Sequence, residues 1–106
     1  MTHLLSSEAR VFRMHGVTFR SFTSSATGAR SIAAWQADFA PTTPGEPHTM
    51  TEEEVFHVLA GALDFEIDAE RFTARTGDAA LVPAGARLAV SNHSHEPARA
   101  WVGRDA

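Results

Sequence analysis

The chain contains no cysteine and no lysine. Without cysteine there are no disulfides, thiolate nucleophiles or cysteine-bound zinc. Without lysine there is no Schiff-base chemistry on a side-chain amine, and every fixed positive charge is an arginine. Apolar runs are short as well. None approaches the roughly 20 residues that a membrane-spanning helix needs, so no membrane partner is expected. The first eight residues lack the charged start and apolar centre of a secretory signal, and a cytoplasmic location is the expectation. Basic charge is scarce: 9 basic against 13 acidic residues leave a net charge of −4. A nucleic-acid partner would need a basic stripe, so none is expected. Internal repeats, low-complexity runs and a helical pattern of ten residues are also missing.

What remains suits one small β domain. The 106 residues are 43% hydrophobic and 21% charged, enough for a packed core in a single domain. Residues 1–10 read as a poorly ordered N-terminal segment and residues 11–106 as the folded unit. Leu63, Phe65 and Ile67 alternate with Asp64, Glu66 and Asp68, the pattern of a strand with one buried face and one wet face. Residues 17–22 and 32–39 alternate in the same way. Residues 55–59 are nearly all apolar, as in a strand covered on both sides. Turn residues separate these runs at Gly28, Gly61, Gly77, Gly85 and around Pro97. Strands every 8–12 residues or so predict an all-β sandwich or barrel.

Two stretches concentrate the polar interest. Residues 41–51 hold three prolines and cannot be helix. Even spacing places His48 and Met50 on one strand face. Glu54, Phe56 and Val58 share a face of the next strand, and Leu88, Val90 and Asn92 share a face of a later one. If those faces line one barrel, an imidazole and a carboxylate converge in an apolar cavity.

The passage from Pro47 through His48, Met50 and Glu54 to Gly61 resembles the first motif of the cupin family. The passage from Gly77 through Pro83, Gly85 and Leu88 to Asn92 resembles the second. The resemblance spans about residues 15–103 and implies a double-stranded β-helix, or jelly-roll barrel, open at one end. Cupins of this kind use two histidines and a glutamate from the first motif and one histidine from the second as metal ligands. Here His48 and Glu54 keep their positions, whereas Met50 and Leu88 stand where the other histidines belong. Thr42 replaces the opening glycine of the first motif. A thioether is a soft, weak ligand and leucine has no donor atom, so the two-histidine, one-carboxylate iron face cannot form.

These residues lead to one principal expectation. His48 and Glu54 form a catalytic acid–base pair with no metal, in an isomerase, cyclase or lyase type of enzyme. Met50, Phe56, Phe65, Leu88 and Val90 form the substrate-binding walls for a small, largely apolar molecule. Two alternatives stay open: a zinc, iron, nickel or copper enzyme with an altered ligand set at His48 and Glu54, and a binding module without chemistry. His57 is expected to face away from Glu54, and His93 and His95 to sit in an exposed turn. The resemblance also implies a homodimer, with Trp35, Trp101 and His57 as candidate contacts.

Overall fold

A computed structural model describes residues 2–105. A short 3-10 turn, Ser6–Glu8, precedes β1 (Arg10–Met14) and β2 (Val17–Thr23). A second 3-10 turn, Ser25–Thr27, leads to β3 (Ile32–Phe39), and the proline-rich stretch then contributes only the two-residue β4 (His48–Thr49). The remainder is β5 (Glu54–Ala60), β6 (Ala62–Ile67), β7 (Glu70–Arg75), β8 (Ala79–Val82), β9 (Arg87–Ser91) and β10 (Ala98–Asp105). No helix among the described residues is long and apolar enough to cross a membrane.

The strands form two sheets. One has six strands in the order β1-β2-β3-β10-β5-β8, the other four in the order β4-β9-β6-β7. Every named pairing is antiparallel. The chain crosses between the sheets after β3, β4, β5, β7, β8 and β9, which is the jelly-roll arrangement expected from the sequence. The inner faces supply the core. Leu63, Val58, Val82 and Val102 are fully buried, and Phe65 and Leu88 nearly so. Each such side chain contributes roughly 1.5–3 kcal/mol through burial.

Two local devices fix the frame around the barrel. Gly61 joins β5 to β6 at φ 72°, and a Cβ there would lie 2.6 Å from the Pro97 carbonyl oxygen. Only glycine accepts both the dihedral and the contact. Asn92, just past β9, is fully buried. Its Nδ2 donates to the carbonyls of Glu96 (2.8 Å) and Ala40 (3.2 Å), and its Oδ1 accepts from the Ser94 amide (3.1 Å) and hydroxyl (2.8 Å). One amide side chain thus ties the end of β3 to the loop before β10.

β1 is a strand that the sequence pattern does not reveal. All five of its residues are exposed, because it is the edge of the six-stranded sheet and pairs with β2 alone.

Candidate functional site

A cavity of about 660 Å³ opens between the sheets, a size that suits a small organic molecule. The inward faces build it by simple alternation. β2 presents Val17, Phe19 and Ser21; β3 presents Trp35, Ala37 and Phe39; β9 presents Leu88 and Val90. β5 contributes Glu54 and Phe56, and β10 contributes Arg104. Arg10, Phe12 and Met14 of β1 also reach the wall, with the Phe12 and Phe19 rings stacked at 5.1 Å.

The sequence-derived residues divide into two groups. His48, Glu54, Phe56, Leu88 and Val90 all line the cavity. Met50 and Phe65 do not. Met50 is buried in the hydrophobic core, its amide donating to the Ala86 carbonyl and its own carbonyl accepting from the Gly85 amide, both at 2.8 Å. β4 ends at Thr49, so the period of two that would place Met50 beside His48 stops one residue too early. Phe65 lies behind Phe56, ring centres 5.3 Å apart in an edge-on contact. It supports the wall rather than forming it.

Glu54 is 6% exposed. Burial raises its carboxyl above the ordinary value, while the charges of Arg104 and His48 act in the opposite direction. His48 is exposed at the mouth. Its Nδ1 lies 3.2 Å from the Glu46 carbonyl oxygen. A carbonyl only accepts, so Nδ1 carries the proton and Nε2 is the free acceptor of the neutral ring. His48 and Glu54 are not in direct contact: the ion pairs within 4.0 Å among the described residues are His15–Glu46, Arg71–Glu66 and Arg99–Asp38. Both groups line the same cavity.

The donor chemistry does not fit a transition metal. Among the described residues no three histidine or acidic side chains come together as a ligand set. Leu88 pairs with His48 across β4 and β9, an apolar side chain where a further nitrogen donor would be needed. Met50 is turned into the core, so its sulfur is not offered to the cavity.

Several cavity residues escape the sequence reading, Phe12, Met14, Phe19, Trp35 and Arg104 among them. Trp35, a candidate dimer contact by sequence, lines the cavity. Ala98, Ala100, Val102 and Arg104 alternate along β10, the first three buried, and that period of two carries Arg104 to the inner side. His57 and Trp101 are neighbours on the outer face, paired in the β5–β10 ladder. His93 and His95 are exposed, with His93 Nε2 2.9 Å from the Ser91 hydroxyl.

Comparison with known proteins gives a consistent picture. A family model described as the cupin domain matches residues 35–102. No curated protein matches the chain. Among solved structures, an RmlC-like cupin from Shewanella frigidimarina aligns with a TM-score of 0.84 at 12% identity, covering 99% of this chain and 90% of that one. The polyketide cyclase RemF from Streptomyces resistomycificus aligns with a TM-score of 0.84 at 18% identity, covering 99% and 79%. A predicted oxalate decarboxylase from Thermotoga maritima aligns with a TM-score of 0.84 at 16% identity, covering 98% of each chain. At these identities the likeness is one of fold.

Proposed function

This chain belongs to the cupin domain family, and on that premise we propose that its barrel binds a small, largely apolar organic molecule and moves a proton on it without a metal. The observation that carries the reading is a buried carboxyl with a raised proton affinity and an imidazole that line one aromatic-walled cavity. The neutral His48 ring takes a proton from carbon at Nε2, and the protonated Glu54 gives one to the carbonyl oxygen. Where the ketone carries a double bond beside its α-carbon, the imidazolium returns its proton to the γ-carbon of the resulting dienol while the enol hydroxyl gives its proton back to Glu54, which leaves the conjugated isomer and regenerates both groups. Return to the α-carbon gives exchange with solvent alone. This division of labour suits an acid and a base held in different surroundings. That a polyketide cyclase shares the fold is compatible with such chemistry.

The test uses 2-tetralone in D2O, with exchange of its α-protons followed by proton NMR on EDTA-treated protein. Exchange is expected to run at least about a hundredfold faster than with buffer alone, and to fall towards the buffer rate in both His48→Ala and Glu54→Gln. Exchange that needs added metal, or that survives both substitutions, sinks the reading.

A second reading, binding without chemistry, is favoured by the exposure of His48. Tetralone that raises the melting temperature but exchanges no faster than in buffer would select it. A homodimer belongs to the proposal as well. Val55, Leu59, Leu81 and Trp101 are all exposed on the outward side of β5, β8 and β10, an apolar face that a second copy would cover.

A further inference from the structure

Arg104 plays no part in the proton transfer above. Yet its Nε is buried and has no hydrogen-bond partner. A guanidinium is always charged, and a buried donor without an acceptor is costly to keep. His15 and Glu46, also at the cavity, have each other. His15 Nδ1 lies 3.7 Å from Glu46 Oε1, and Arg10 lies over the Phe12 ring at 5.2 Å. Arg104 has the Trp35 ring at 5.9 Å, an aromatic face but no hydrogen-bond acceptor. Glu54 stands opposite it in the ladder but forms no ion pair with it within 4.0 Å.

We infer that Arg104 is the anion-holding residue of the cavity, and that the occupant is an apolar organic carboxylate. The inference rests on the proposed reading that the cavity takes a small, largely apolar molecule. The chemistry selects this anion. The planar fork of a guanidinium matches the two oxygens of a carboxylate. Trp35 covers one side of the arginine and aligns with a flat, apolar ligand body. A doubly charged phosphate on Arg104 would also meet the Glu54 carboxyl opposite it in the ladder. A single-charge head on an aromatic or aliphatic body fits both the charge and the walls of Phe19, Phe39 and Phe56.

The experiment is calorimetric titration with 2-naphthoate and with 2-naphthamide, which share a body and differ in the head. The wild-type protein is expected to bind naphthoate about tenfold to a hundredfold more tightly than naphthamide. Arg104→Gln should erase that preference by weakening naphthoate far more than naphthamide, and retained naphthamide binding reports that the barrel is intact. Arg104→Lys, which keeps the charge but not the fork, should retain only part of it. Equal wild-type affinity for the two probes overturns the role of Arg104 and leaves the apolar-pocket reading standing. Failure of both probes overturns both. A preference that survives Arg104→Gln overturns the role of Arg104, and if that variant does not fold, a full preference in Arg104→Lys does the same.

Discussion

Glu54 and Arg104 occupy opposed positions in the β5–β10 ladder and both face the cavity, yet they form no ion pair within 4.0 Å. Glu54 is consequently governed more by burial than by its neighbours' charge. That ordering has a measurable thermodynamic consequence.

A carboxyl whose proton affinity is higher in the folded chain than in the unfolded one binds more protons when folded. Stability then falls as pH rises from the unfolded value of 4.5 through the raised folded value. The slope from one such group is at most about 1.4 kcal/mol per pH unit. Arg104 from β10 and His48 from β4 face the same carboxyl, and both are retained in Glu54→Gln. Urea titrations of wild type and Glu54→Gln between pH 4 and 8 should therefore diverge. The wild type should lose stability relative to the variant on going up from pH 4.5. Parallel curves would mean that the carboxyl is solvated or directly paired.

Asn92→Ala removes the amide that holds the Ala40 and Glu96 carbonyls and accepts from Ser94. The site is fully buried, so the freed groups lose partners without gaining water. The expected loss is about 2–4 kcal/mol, read from the midpoint of chemical denaturation. A change below about 0.5 kcal/mol, the range of an ordinary surface substitution, would show that the loop closes by other bonds.

The outward apolar face bears on assembly. Trp101 is 38% exposed and packs against Phe22 at 5.6 Å on that side of the sheet. A dimer mass is expected from light scattering at micromolar concentration. Trp101→Glu should shift the mass to that of one chain while leaving the far-ultraviolet circular dichroism intact. A wild-type monomer would contradict the assignment of this face.

Much of the barrel was legible because its long strands obey one rule. In β6, and in β5 from Glu54 to Val58, the buried positions alternate, and Gly61 marks the turn between them, so Glu54 and Phe56 could be placed on one face from spacing alone. The expected cover on both sides of residues 55–59 is not found, since Val55 and Leu59 are exposed. The rule failed where strands are short, peripheral or polar. β4 ends at Thr49 and leaves Met50 out of phase. β1 is wholly exposed, so its pattern carries no burial signal, and the cavity contacts of Phe12 and Met14 stayed hidden. Arg104 lies one residue from the end of β10, where a charge normally reads as solvated. Only the alanines and valine before it betray its inward direction.

The last test concerns a residue that the motif spacing singled out. Thr42 stands where the family pattern has glycine, and it adopts φ 56°. A β-branched residue is strained in that region, at a cost of roughly 1–2 kcal/mol. Its backbone is held there by a bond from its amide to the Ser94 carbonyl (3.0 Å), which any residue can make. Its hydroxyl donates to the Pro41 carbonyl (2.6 Å) on the surface, where water can substitute. Thr42→Gly therefore relieves strain and gives up little packing. Glycine costs about 0.5–1 kcal/mol in chain entropy, so the net gain should be about 0.5–1 kcal/mol. Gly61→Ala is the converse: φ is again positive, but the added methyl meets the Pro97 carbonyl, and the loss should exceed about 1 kcal/mol. Denaturation midpoints moving in opposite directions would support this account of both turns. A Thr42→Gly variant less stable than wild type would mean that the threonine side chain holds the loop rather than straining it.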